Sequence, residues 1–95
     1  MTSKERAFLR SQAADMPAII NIGKSSLTPE VTEAVSEALE ARELIKLGVL
    51  KNCTEDPKAI AASLAERTRS QVITVIGKKI VLYKQAKKNP RYPIA

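Results

Sequence analysis

The run Leu44-Ile45-Lys46-Leu47-Gly48-Val49-Leu50 constrains the fold of this chain more than any other stretch. Successive side chains of a strand point to opposite faces, so Ile45, Leu47 and Val49 fall on one side and Leu44 and Leu50 on the other. Both sides are apolar, and a sheet buried on both faces needs helices on both faces. The strand is assigned to residues 44–52. Three further runs supply its neighbours. "AIINI", 18–22, is short and β-branched. "QVITVI", 71–76, and "IVLYK", 80–84, are joined by Gly77-Lys78-Lys79, a glycine-first signal for a tight hairpin.

The helices read as clearly. Residues 2–14 form a first helix, capped by Thr2 or Ser3, with Glu5 in its first turn and Phe8, Leu9 and Ala13 on one face. Pro17 ends it, because the residue before a proline is pushed out of helical geometry. A second helix starts on Thr28 as N-cap with Pro29 at the first position. Its apolar side carries Val31, Ala34, Val35, Ala38 and Leu39, and Glu30, Glu33, Glu37 and Glu40 lie opposite. That acidic spacing is read as a solvated face rather than a metal site or catalytic pair. Asp56-Pro57 opens a third helix with Ile60, Ala61, Leu64, Ala65 and Thr68 in register. The order α-β-α-β-α-β-β predicts an α/β sandwich around a four-stranded mixed sheet. Both crossover helices are expected on one side and the N-terminal helix on the other.

Ninety-five residues suffice for one core, because a chain this short buries only about two-thirds of its unfolded surface. One domain over 1–86 with a basic, mobile tail over 87–95 is expected. Phe8, Tyr83 and Tyr92 are the only rings. The core is therefore aliphatic, and a stacking platform for single-stranded bases, which needs several exposed aromatics, is excluded. Cys53 is the only cysteine, so no internal disulfide forms. No run approaches the roughly 20 apolar residues of a membrane span, and the N-terminus lacks the apolar core of a signal peptide. A cytoplasmic protein, monomeric and without membrane contact, is expected.

The formal charge is +6 with a pI near 9.7, and it is unevenly placed. Residues 30–43 hold five acids against Arg42, whereas residues 44–95 hold eleven bases against three acids. Such asymmetry points to one face turned toward a polyanion. No enzyme is expected: there is no histidine, Cys53 lacks a histidine base, and no acidic cluster has metal-site spacing outside the second helix. No cofactor, metal or small-molecule substrate is implied. No helix combines basic and base-reading side chains as a DNA recognition helix does.

"NIGKSSLTPE", 21–30, bears on the polyanion directly. A Walker A loop needs a glycine five residues before Gly23-Lys24-Ser25; that position is Ala18, inside an apolar strand, so a nucleotide-triphosphatase is ruled out. What stands is a strand, a Gly23-Lys24-Ser25-Ser26 bend and a helix start. Backbone N–H groups there, beside a lysine and hydroxyls, suit a phosphate oxygen. The arrangement is similar to the Gly-x-x-Gly loop of KH domains, which clamps a nucleotide backbone.

"KERAFLRSQA", "IINIGKSSLTPEV", "EALEARELIKLGVL" and "VITVIGKKIVLYK" cover nearly the whole chain in order. Together they resemble the CRM (chloroplast RNA splicing and ribosome maturation) domain in its stand-alone bacterial, YhbY-like form. The resemblance implies a small α/β fold similar to the C-terminal domain of translation initiation factor three. It also implies binding of structured RNA, with ribosomal RNA of large-subunit precursors as the partner. The family's Gly-x-x-Gly loop maps to Gly23, Lys24, Ser25 and Ser26, with Ser26 in place of the second glycine. If that position needs positive φ, serine costs roughly 1 kcal/mol. Arg69-Ser70 departs similarly, where relatives often end the third helix with glycine. Lys24 is expected to meet phosphate, flanked by Arg10, Arg42, Lys46, Lys51, Lys78, Lys79 and Lys84. The competing reading is a protein-interaction module, using the glutamate face and basic tail, with RNA contact secondary.

Overall fold

A computed structural model describes residues 1–92. The elements are α1 (Ser3–Ala13), β1 (Ile20–Ile22), α2 (Pro29–Arg42), β2 (Leu44–Val49), α3 (Pro57–Thr68), β3 (Gln71–Ile76) and β4 (Lys79–Tyr83). The order is the one expected. The sheet runs β1-β2-β4-β3, with β1 parallel to β2 and β4 antiparallel to both its neighbours.

Each helix starts on a side chain that satisfies an orphan backbone donor. Thr2 Oγ1 accepts from the Glu5 N–H at 3.1 Å while Glu5 Oε1 accepts from the Thr2 N–H at 2.8 Å, a reciprocal capping box. Thr28 accepts from Val31 N–H at 3.1 Å and Asp56 from Lys58 N–H at 3.2 Å, each followed by proline in the first turn. Such caps contribute about 1 kcal/mol each.

Two apolar cores lie on opposite faces of the sheet, and the chain's three rings gather in the one under α1. Under α2 and α3, Ile22, Ile45, Leu47, Ile80 and Leu82 meet Val35, Leu39, Ile60 and Leu64. Under α1, Leu44, Ile73, Val81 and Tyr83 meet Leu9 and Ala13. The alternation along β2 therefore divides its side chains between the two layers as the sequence implies.

Several boundaries differ from expectation, α1 by one residue at each end and the strands as follows. Only Ile20–Ile22 form β1, although Ile19 N–H still reaches the Lys46 carbonyl at 3.0 Å. β2 ends at Val49 rather than at residue 52. Cys53 N–H donates to the Leu50 carbonyl at 3.0 Å, so the chain turns at Lys51-Asn52 and Leu50 is left 44% exposed rather than buried on the second face. β4 begins at Lys79, which leaves Gly77-Lys78 as the hairpin loop, with Gly77 at φ +56°. β3 also carries one residue more than β4 between Val72 and Thr74, a bulge at Ile73.

At the far end of β4, Arg91 N–H donates to Glu43 Oε1 at 2.5 Å, and Tyr92 packs edge-on against Tyr83 with ring centres 6.2 Å apart. The expected tail, 87–95, lies partly outside the described residues.

Candidate nucleic-acid interface

Strand directions bring the chemistry to one end of the sheet. β1 and β2 finish there, and the β3–β4 turn lies beside them. Leu50 N–H donates to the Ile22 carbonyl and Val49 N–H to the Lys78 carbonyl, both at 2.8 Å. The Gly23–Ser26 bend, the loop after β2 and the hairpin turn are thereby neighbours. Lys24, Lys51, Lys78 and Lys79 come from these loops and the first residue of β4, and all four are exposed. α2 and α3 also start at this end, adding the partial positive charge of two helix N-termini.

The bend is a tight turn in which Ser26 N–H donates to the Gly23 carbonyl at 2.9 Å. Lys24 and Ser25 stand exposed at its tip, while Ser26 is folded inward. Ser26 adopts φ +53°, so serine holds the left-handed conformation that a second glycine would take freely. Its hydroxyl is buried without a hydrogen-bond partner among the described atoms. Arg69 caps α3 in the same left-handed region, at φ +56°. A Cβ on Gly23 would meet Asn52 Oδ1 and Leu50 Cδ1 at 3.7 Å, ordinary contact. Gly23 thus leaves a bare backbone without being demanded by its neighbours.

On the α1 face, Lys46 Nζ donates to the Ala14 carbonyl at 3.1 Å and ties the end of α1 to β2. Arg10, Lys46 and Lys79 border a cleft between that helix end and the hairpin. Asp15 follows the end of α1 on this face; the other carboxylates at this end are Glu30, Glu55 and Asp56, on or just before the first turns of α2 and α3. These three belong to the opposite layer. Lys58 shares that layer with these acids, and Glu30, Glu33, Glu37 and Glu40 are all exposed there.

Two expected site residues lie elsewhere. β4 runs opposite to β2, so Lys84, just past its last residue, falls at the far end of the sheet with Arg42 at the last turn of α2. Lys84 Nζ is paired with Glu40 Oε1 at 3.0 Å. Conversely, the site gains Asn21 and Gly48, which sequence reasoning passed over. They are register partners, and a Cβ on Gly48 would sit 2.5 Å from Asn21 Oδ1 and 3.4 Å from Lys79 Nζ. The signal was available: a lone glycine within an apolar strand marks close approach by another group.

A sequence model of the CRS1/YhbY (CRM) domain matches residues 1–84. The chain belongs to the CRS1/YhbY (CRM) domain family. This CRM chain is 45% identical over 89 residues to the probable RNA-binding protein YqeI of Bacillus subtilis (strain 168), covering 94% of the chain and 93% of that protein. It is 27% identical over 84 residues to an RNA-binding protein of Haemophilus influenzae, covering 88% of the chain and 85% of that protein. It also superposes on the solution structure of a hypothetical Staphylococcus aureus protein described as a candidate RNA binder. That match has a TM-score of 0.85 and 38% identity, covering 100% of this chain and 99% of the other.

Proposed function

We propose that this CRM domain binds structured RNA through the loop end of its sheet, gripping backbone and shape rather than sequence. The RNA is ribosomal, met on precursors of the large subunit, where binding assists assembly. One observation carries this reading: the exposed Lys24-Ser25 tip of the bend stands beside Lys51, Lys78 and Lys79, with Glu30, Glu55 and Asp56 in the other layer. A set of exposed, flexible ammonium groups suits phosphates along a folded RNA and offers no planar fork for base edges. The RNA-binding names of the relatives support the same partner.

The test joins two measurements. Affinity for a ribosomal RNA fragment is expected to fall with salt at a log–log slope of about 0.7–0.9 per phosphate neutralised. Sedimentation of cell extract is expected to carry the protein with large-subunit precursors, and nuclease treatment is expected to release it. A flat salt dependence defeats the contact scheme. Capture of assembly proteins that survives nuclease and high salt favours the exposed glutamate face of α2 as the working surface instead.

A further inference from the structure

We infer that the cleft between the end of α1 and the β3–β4 hairpin holds one unpaired RNA base, an inference that rests on the RNA-binding reading above. The cleft measures about 260 Å³ and is lined by Arg10, Ala14, Lys46, Ile76, Lys79 and Val81 among others. That is just below the roughly 300 Å³ at which drug-sized pockets begin. It offers room for a single heterocycle and little more.

Its chemistry is divided as a flipped-out nucleotide requires. The walls are mostly apolar, and Ile76, 65% exposed, adds aliphatic surface that an occupant would cover. The charged groups at the rim, Arg10, Lys46 and Lys79, are donors only, and no carboxylate lines the cleft. An anionic, acceptor-rich occupant is therefore favoured over an acidic-and-basic peptide. Lys46 already gives one proton to the Ala14 carbonyl, which fixes its chain along the wall and leaves two for the occupant. Lys79 belongs both to this rim and to the loop end, so a strand whose phosphates follow the lysines passes the cleft mouth. Beside it, Asn21 Oδ1 and Lys79 Nζ lie over the bare backbone of Gly48, an amide placed to meet a base edge or a ribose hydroxyl. None of the three rings of the chain lines the cleft, so the base is held by aliphatic contact rather than stacking. Bases removed from a helix are commonly received by apolar side chains in this way.

The experiment uses the full chain and two short RNA duplexes, identical except that one carries a single unpaired 2-aminopurine nucleotide. The wild type is expected to bind the bulged duplex about 5- to 10-fold more tightly, a gain within reach of burying one heterocycle against apolar side chains. The fluorophore's signal is expected to change on binding. Ala14→Leu fills the cleft and Ile76→Ala removes its outer wall, each without altering charge. Both are expected to abolish the preference while leaving affinity for the paired duplex, and its salt slope, unchanged. Equal binding of the two duplexes by the wild type, with salt dependence intact, overturns the inference and leaves the RNA-binding reading standing. A preference that persists in both variants also overturns it, since the base then sits elsewhere. Absence of RNA binding at low salt ends both.

Discussion

Arg6 on α1 donates through Nη1 to the backbone carbonyl of Ile73 at 3.3 Å, and more closely to that of Val72. These carbonyls flank the bulge, where the extra residue of β3 has lost its ladder partner. One side chain thereby satisfies acceptors that the irregular strand would leave bare, and it locks α1 onto β3. Arg6→Ala is expected to lower stability by about 1–3 kcal/mol, the usual result of orphaning part-buried acceptors. A reduced urea midpoint at unchanged slope checks it, and recovery of full stability in Arg6→Met would count against it.

The separation of the cations predicts a split among lysine variants. Lys78→Ala and Lys79→Ala, alone or with Lys24→Ala, are expected to weaken RNA binding several-fold. Each should reduce the salt slope by roughly 0.7–0.9. Arg42→Ala and Lys84→Ala are expected to leave affinity within about two-fold, because both lie at the other end and an exposed pair such as Lys84–Glu40 contributes under about 1 kcal/mol to the fold. Equal losses at both ends would refute the one-ended surface.

Ser26 and Arg69 hold left-handed backbone at φ +53° and +56°. Relief of about 1 kcal/mol of strain by glycine is partly offset by the greater freedom of an unfolded glycine, about 0.4–1 kcal/mol. Ser26→Gly also removes a buried hydroxyl without a partner. It is expected to raise the melting temperature by a few degrees, with Arg69→Gly smaller. Gly77→Ala, at φ +56°, is expected to lower it by a similar amount. Calorimetry on the three variants decides.

Tyr83 is buried, and its hydroxyl has no hydrogen-bond partner among the described atoms. Loss of hydration, then the charges of Glu43 and Glu5 and the neighbouring Tyr92, raise its pKa above the ordinary 10.0. The folded protein thus keeps this proton more tightly than the unfolded chain. Stability present below pH 10 is lost as pH climbs from there through the higher native value. Tyr83→Phe is expected to flatten that alkaline decline and to leave neutral stability little changed. Urea titrations at rising pH, with phenolate absorbance followed in parallel, check both parts.

Much of this architecture was legible because helix and strand periods are local. The two-sided apolar run of β2 required helices on both faces, and Thr28-Pro29 and Asp56-Pro57 marked two helix starts to the residue. Leu50 misled because an apolar residue just past a strand looks like its continuation; the turn that exposes it depends on a hydrogen bond from Cys53. The bend and the cations beside it were singled out as candidates from residue type and spacing. Their division between two ends was not legible, because Lys51 and Lys84 both follow apolar strands and only the antiparallel direction of β4 separates them. Arg6 was missed altogether, since its partners are more than sixty residues away in the chain.

The two borders of the sheet have a consequence of their own. One is β1, three residues long, and the other is β3, kinked by its extra residue. Neither offers the flat, extended ladder that a foreign strand needs for edge-on growth. A small domain with so apolar a core is in this way protected from fibre-like self-assembly by the shape of its margins.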